Sequence, residues 1–171
     1  MLNIFSFGYP SSNSATATAA TTTHLSNQNY EICIRRAAGY CYICYAAWNS
    51  IQATASFGVS IAATDNDKAA QDSSCITDYI TIPGGITAAI AAKTTPTEGV
   101  ERFCGRQFST IVDDDSTTVC SRSYPFRVGV TFDANEICTA QTALACELNL
   151  AIASMPGGII GFALGFVQNT C

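Results

Sequence analysis

Nine cysteines in a chain of 171 residues constrain this sequence more than any other feature. Such a count indicates either metal and redox chemistry or a framework of disulfides. A zinc site needs closely spaced ligand pairs, and only Cys41 and Cys44 have that spacing. On a strand, side chains three positions apart point to opposite faces about 10 Å apart, too far to form a disulfide with each other. The sequence therefore favours a disulfide framework, with an odd cysteine that is free or bonded to another chain.

Short strands separated by turns dominate the pattern along the chain. Alternating or β-branched stretches predict strands at residues 2–7, 30–34, 40–45, 56–61, 78–82, 107–112, 126–132 and 159–167, with the second and third paired about a turn. Many short strands with Gly, Pro, Asp and Asn between them predict an all-β sandwich or barrel. Residues 86–93 are compatible with a helix. Residues 139–154 fit either a helix or a strand, and we favour a strand for their later part.

The small number of charges limits the classes of partner. Only 12% of the residues are charged and the formal net charge is −5. No basic stripe is present to displace phosphate counterions, so we expect no nucleic-acid partner. No apolar run approaches the roughly 20 residues of a transmembrane helix. A surface this poor in charge favours contact with other proteins or with copies of itself.

The start of the chain lacks the pattern of a signal peptide. Met1 is not followed by a basic stretch, a long apolar segment and a small-residue cleavage site. If the protein is secreted, we expect this chain to be a mature form or a piece of a longer protein, and we favour the piece.

Five phrases in this order resemble the pattern of the CUB domain, especially its arthropod branch. They are NYEICIRRAAGYCYICY at 29–45, CITDYITIPGG at 75–85, ERFCG at 101–105, SYPFRVGVTFD at 123–133 and GFALGF at 161–166. The resemblance implies an extracellular, jelly-roll-like β-sandwich of two antiparallel sheets with a binding role. We therefore divide the chain into an N-terminal strand with a Ser/Thr/Ala-rich loop at 1–28 and a CUB-like domain at 29–171.

The resemblance also implies a disulfide between Cys75 and Cys104, whose loop closure is worth roughly 3–4 kcal/mol. Cys33 and Cys41 flank the predicted turn symmetrically and would face each other across an antiparallel hairpin. Pairing Cys33 with Cys44 instead would need a bulge. The sequence therefore allows Cys33 to bond either Cys41 or Cys44, and we favour Cys41.

The remaining cysteines are less constrained. Cys138 and Cys146 would form a local disulfide within an insertion, unless one of them pairs with Cys44 or Cys120. In arthropod relatives a terminal cysteine such as Cys171 usually pairs with one upstream of the domain, and this chain has none there. We therefore expect Cys171 to be unpaired within this chain or bonded to another subunit.

The resemblance also raises calcium as a candidate cofactor. Many CUB domains hold it through an early Glu, the Asp of the Asp-Tyr motif, and a late Asp with a nearby Asn. The resemblance matches Asp78 to the central ligand and places Asp133 and Asn135 near the late position. The early Glu has no counterpart, because the matching strand reads SFGVS at 56–60. We therefore expect no cofactor and favour a hydrogen-bonded role for Asp78, with calcium as the alternative.

A Ser/Thr/Ala-rich tract at 14–23 favours a flexible surface loop. It also offers acceptors for O-linked glycans, and the candidates are Thr16, Thr18, Thr21, Thr22 and Thr23. His24, the only histidine, lies in this Thr-rich region, far from Cys41 and Cys44 in the sequence. Since a serine or cysteine nucleophile needs a positioned base, we expect no enzymatic activity.

Three smaller features have two interpretations each. Arg35 and Arg36, the only adjacent basic pair, would anchor an acidic partner or, as we favour, be solvated charges at a turn. The acidic run at 113–115 would hold a cation or, again favoured, form a solvated turn. We expect Trp48, the only tryptophan, to lie in the core.

Two functions follow from the sequence. The first is a non-enzymatic extracellular protein that is structural and self-associating, forming a filament or matrix. Low charge, the unpaired Cys171 and an apolar stretch at 157–167 favour it. The alternative is a ligand-binding CUB module of a larger secreted protein, with or without calcium dependence.

Overall fold

The computed structural model of the chain describes residues 2–6, 24–48, 56–59, 69–92, 99–105, 107–112, 114–134 and 161–171. Most of these residues are extended. The strands are β1 (Leu2–Phe5), β2 (Gln28–Ile34), β3 (Tyr40–Ala47), β4 (Phe57–Gly58), β5 (Ala69–Gln71), β6 (Tyr79–Thr87), β7 (Val100–Gly105), β8 (Val119–Ser121), β9 (Phe126–Phe132) and β10 (Gly161–Thr170). A short 3-10 turn, Asp72–Ser74, lies between β5 and β6, and a one-turn helix, α1 (Ala88–Ala91), follows β6.

The strands form two antiparallel sheets that share one strand. The β3 sheet has the order β1-β10-β3-β8 and ends on the last residues of β6, and β4 pairs with the start of β10. The β9 sheet has the order β2-β9-β6-β7-β5. The predicted all-β sandwich of two antiparallel sheets is therefore confirmed, and β1 is an edge strand of it.

Strand β6 passes from one sheet into the other. Its first residues, Tyr79–Thr81, pair with β9, whereas Ile86 and Thr87 pair with β8. The change of sheet occurs at Pro83-Gly84-Gly85, where Gly84 adopts φ +61°, a conformation that side chains with a Cβ rarely take. At Gly85 a Cβ would lie 2.6 Å from Cζ of Phe103 and 2.8 Å from the carbonyl oxygen of Val100. Both glycines are needed for the crossing.

The core lies between the sheets and is built by alternation along each strand. In β9 the sequence FRVGVTF places Phe126, Val128, Val130 and Phe132 inward and the residues between them outward. The other strands and loops contribute residues to the same cluster: Ile43, Tyr45, Phe57, Val59, Ile80, Ile82, Phe103, Phe108, Val119, Phe162 and Leu164.

The predicted pairing of residues 30–34 with residues 40–45 is wrong. Both stretches are strands, but β2 pairs with β9 whereas β3 pairs with β8 and β10. The turn between them crosses the sandwich instead of closing a hairpin. Alternation along a strand identifies its buried face but not its neighbour, because both sheets bury one face against the same core.

The strand predicted at residues 107–112 is also wrong. This segment is a loop whose Phe108 is buried against Phe57 and Phe103, while Ile111 and Val112 are exposed. Three strands were missed. Strands β5 and β8 have three residues each and are too short to show alternation, and the six residues of β7, VERFCG, do not alternate. The helical turn α1 lies within residues 86–93, and residues 139–154 lie outside the described residues.

The stretch at 157–167 does not form the exposed edge that the sequence suggested. Its described part belongs to β10, which lies between β1 and β3, and residues 161–165 are buried. No helix among the described residues is long and apolar enough to cross a membrane.

Replacing Gly85 by alanine tests the crossing of β6. We expect Gly85→Ala to lower the free energy of unfolding by about 1–3 kcal/mol, because the new Cβ overlaps the Phe103 ring and a backbone oxygen. In Gly129→Ala, the matched control on β9, the Cβ meets Cβ of Thr81 at 3.4 Å, an ordinary contact. Urea unfolding should show the control within about 0.5 kcal/mol of the parent. Equal effects of the two changes would contradict this account.

Tyr45 offers a second test, because its hydroxyl group is buried with no hydrogen-bond partner. Removing an unsatisfied buried hydroxyl should help, so we expect Tyr45→Phe to raise the free energy of unfolding by about 1 kcal/mol. Burial also raises the pKa of Tyr45. Above the unfolded pKa of about 10, ionisation therefore favours the unfolded chain. Urea unfolding at neutral and alkaline pH should show the advantage of the variant growing above that pH.

Candidate functional site

One end of the sandwich gathers most of the described arginines. Arg35 and Arg36 lie in the β2–β3 connection, Arg122 follows β8, and Arg127 lies on β9 next to Cys33 of β2. These four arginines, together with Tyr42 and Tyr124, are called the arginine–tyrosine end.

Two of these arginines stack on tyrosine rings. Cζ of Arg36 lies 4.5 Å from the ring centroid of Tyr124, and Cζ of Arg122 lies 5.5 Å from that of Tyr42. The Tyr124 hydroxyl donates to the carbonyl oxygen of Cys41 at 2.6 Å, which fixes its ring. Stacking on a ring face holds a guanidinium group in place while leaving its N–H donors available.

The connection that carries Arg35 and Arg36 is held by one side chain of β10. The Gln168 amide donates to the carbonyl oxygen of Arg35 at 2.9 Å and accepts from the backbone N–H of Ala37 at 2.8 Å. Gly39 closes the turn with φ +82°. The position of the two arginines is thus set by the fold, which favours binding because less ordering is needed.

The arginine–tyrosine end has an excess of positive charge. Arg127 pairs with Glu31 at 3.1 Å on the partly exposed outer face of the β9 sheet. Among the described residues, Arg35, Arg36 and Arg122 have no carboxylate within salt-bridge distance. This surface suits an acidic partner. The interpretation of Arg35 and Arg36 as solvated turn charges does not account for the contacts that Gln168 and Tyr124 make with this connection.

An acidic and apolar loop lies at the opposite end. Strands β7 and β9 are both antiparallel to β6, so their carboxyl ends lie at the same end, away from the arginines. The loop that follows β7 exposes Ile111 and Val112, whose exposed fractions are 52% and 57%. Asp114 and Asp115 come next, and Asp115 is exposed. Residues 111–112 and 114–115 are called the acidic loop.

Asp78 lies at this same end, but it is buried. Its Oδ1 accepts from the backbone N–H of Asp133 at 2.7 Å, and its Oδ2 lies 3.5 Å from Nε2 of His24. Both side chains are 0% exposed. The sequence placed His24 in a polar surface region, and no periodic pattern surrounds it that would have indicated burial. The contact with Asp78 joins residues 54 positions apart, beyond the reach of local patterns.

The described residues do not fit calcium at this position. Calcium takes six to eight oxygen ligands, several of them carboxylate. Here the buried Asp78 faces an imidazole, and Asp133 meets it through a backbone N–H, which cannot ligate a cation. No group of three or more His, Cys, Asp or Glu among the described residues is arranged to hold a metal ion. Asn135 lies outside the described residues.

Three disulfides join described cysteines. Cys75 bonds Cys104, the pair that the resemblance implied, Cys44 bonds Cys120 across neighbouring strands, and Cys41 bonds Cys171. The last of these closes the chain end onto β3, beside the arginine–tyrosine end.

Two cysteine predictions are wrong. Cys33 does not bond Cys41 or Cys44, because β2 and β3 lie in different sheets, and Cys33 is free and exposed. Cys171 is not unpaired or intermolecular, because β10 runs beside β3 and delivers it to Cys41.

Several predicted site residues lie outside the described residues. They are Cys138, Cys146 and the O-glycosylation candidates Thr16, Thr18, Thr21, Thr22 and Thr23. Trp48 is described, and it is not in the core. It is half-buried and packs edge-on against Phe5 with the ring centroids 5.5 Å apart, at the margin of the β3 sheet.

The fold and its disulfides define a class, the disulfide-bonded antiparallel β-sandwich. Disulfides of this kind form and persist in oxidising compartments. A family model, the animal CUB domain, matches residues 3–169, and the chain belongs to that family. CUB domains are typically extracellular, non-enzymatic modules of protein–protein interaction. The match begins within β1, so it extends the resemblance at 29–171 to nearly the whole chain. No curated protein and no solved structure matches the chain at a significant level.

The cysteine assignments generate a prediction. Replacing Cys41 and Cys171 together by serine should lower the free energy of unfolding by about 4 kcal/mol, because a long loop of the unfolded chain is released. Cys33→Ser, the control on the same end of the sandwich, should leave it within about 0.5 kcal/mol. Denaturant unfolding of the oxidised proteins measures both. A large loss in Cys33→Ser, or none in the double variant, would show that the pairs are different.

Proposed function

We propose that this CUB domain is a non-enzymatic, extracellular interaction module that binds an acidic partner through the arginine–tyrosine end, and that the partner is a second copy of the chain. The observation that carries the proposal is the pair of guanidinium groups stacked on Tyr42 and Tyr124 without carboxylate partners among the described residues. An immobilised arginine loses little entropy on binding and suits carboxylates, which it meets with two parallel hydrogen bonds.

The acidic loop of a second copy matches this surface. Its carboxylates complement the arginines, and the exposed Ile111 and Val112 offer apolar contact to the tyrosine rings. Only 12% of the residues are charged, so few like charges oppose the approach of two copies.

The geometry of such a contact favours growth beyond a dimer. The arginine–tyrosine end and the acidic loop lie at opposite ends of the same sandwich. A contact between two different surfaces leaves one of each free at the ends, so repetition yields a filament unless it closes into a ring. This supports a structural role in a filament or matrix, with a distinct acidic ligand as the alternative for the same surface.

Charge reversal at each end tests the proposal. In sedimentation velocity at up to about 1 mM, where ~4 kcal/mol of association becomes visible, the parent chain should form dimers and longer species that added salt disperses. Arg35→Glu with Arg36→Glu should be monomeric, and so should Asp114→Lys with Asp115→Lys. A mixture of these two variants should associate again, because the unchanged arginines of one variant can meet the unchanged aspartates of the other.

Arg102→Glu is the matched control, because Arg102 also stacks on a tyrosine, Tyr79, but lies on β7. It should associate like the parent. A parent chain that stays monomeric over the whole range would rule out self-association. Binding of a fluorescent acidic peptide to that monomer, lost in the Arg35/Arg36 variant and kept in the control, would then support the distinct ligand.

A further inference from the structure

We propose that the imidazole of His24 takes the place that calcium occupies in many CUB domains, so that this domain is ordered by a cationic side chain of its own. The inference does not depend on the partner proposed above. It rests on the surroundings of Asp78, the residue that the family resemblance matches to the central calcium ligand.

The ring of His24 occupies the space in front of the Asp78 carboxylate. One carboxylate oxygen, Oδ1, is engaged by the backbone N–H of Asp133 at 2.7 Å. The other, Oδ2, has no hydrogen bond and is completely buried, and Nε2 of His24 lies 3.5 Å from it. A buried carboxylate is costly unless a positive charge or hydrogen bonds compensate it, and the imidazole is the group within reach.

Both nitrogens of this ring face oxygen acceptors. Nδ1 lies 3.2 Å from the carbonyl oxygen of Leu25, and Nε2 lies 3.3 Å from that of Val59 as well as facing Asp78. A neutral imidazole has one N–H and one lone pair, which would point at a carbonyl oxygen. The form that donates from both nitrogens is the imidazolium cation. A protonated ring places positive charge beside Asp78, the residue that the family resemblance matches to the central calcium ligand.

The ring also joins three segments that are distant from one another in the chain. It stacks on Phe132 at the end of β9 with ring centroids 3.8 Å apart, and it contacts Val59 after β4 and Asp78 before β6. The stretch 56–60 matches the strand that carries the early Glu ligand in relatives. Here it offers the backbone oxygen of Val59 instead, while the Val59 side chain is in the core. The absence of a Glu from this stretch and the presence of the imidazole beside Asp78 thus fit each other.

Calcium titration is the direct test. The thermal midpoint of the parent chain should be the same, within about 1 °C, in chelator and in calcium up to about 10 mM, above the roughly 0.1–1 mM range in which extracellular modules bind calcium. Isothermal titration should show no binding heat. A rise of the midpoint with calcium, or saturable binding in that range, would overturn the proposal.

Two variants test the role of the ring itself. His24→Gln keeps an amide donor but removes the charge, so the midpoint should fall by about 5 °C or more as Asp78 is left unpaired. Adding Asp78→Asn removes the unpaired carboxylate and should restore part of that loss. The control carboxylate is Glu101, exposed on β7, and Glu101→Gln combined with His24→Gln should be additive. Additivity of Asp78→Asn with His24→Gln would also overturn the proposal. If the variants do not fold, the calcium titration of the parent still decides it.

Discussion

The membership of β6 in both sheets is the constraint on which the rest of the structure depends. The first half of β6 pairs with β7 and β9, and its last residues pair with β8. The position of one sheet relative to the other is therefore fixed by β6. The inward residues of β9 and β3 meet across that gap. The crossing requires backbone without side chains at Gly84 and Gly85, which allows the Phe103 ring to pack against it. The core therefore depends on two positions that contribute no apolar surface.

The disulfides reinforce this arrangement at its margins. Cys44–Cys120 joins neighbouring strands of the β3 sheet, Cys75–Cys104 ties the start of β6 to β7, and Cys41–Cys171 fastens the end of β10. Each connects elements that the sheets already bring together, so they mainly restrict the unfolded chain. Cys33 faces outward on β2, an edge strand of the β9 sheet, and the same outward position explains why no described cysteine reaches it.

The sequence predicted the fold class because alternation along a strand marks its buried face. It did not predict which strands pair with each other. FRVGVTF at 126–132 identifies β9 and its inward face, yet nothing in it states that β2 is the partner. The same gap produced the wrong Cys33–Cys41 bond. The candidate site was found in part: Arg35 and Arg36 form a visible pair, whereas Arg122, Tyr42 and Tyr124 join them only through the order of β3, β8 and β9. His24 was misplaced because its burial depends on Asp78 and Phe132, both distant in the chain.

The few charged groups of this chain lie in two different environments. The arginines of the arginine–tyrosine end are solvated, whereas Asp78 is shielded from water. At the arginine–tyrosine end the guanidinium groups are held at the surface, where water screens them and their attraction to a partner is modest until that partner excludes the water. At Asp78 the solvent is excluded within the fold itself, so the compensating cation must be part of the chain or bound permanently. The proposed imidazolium of His24 would meet that need without a second component. The two sites are therefore expected to act separately. Changing the salt concentration should act on the proposed contact between copies, whereas the buried pair of His24 and Asp78 is screened little.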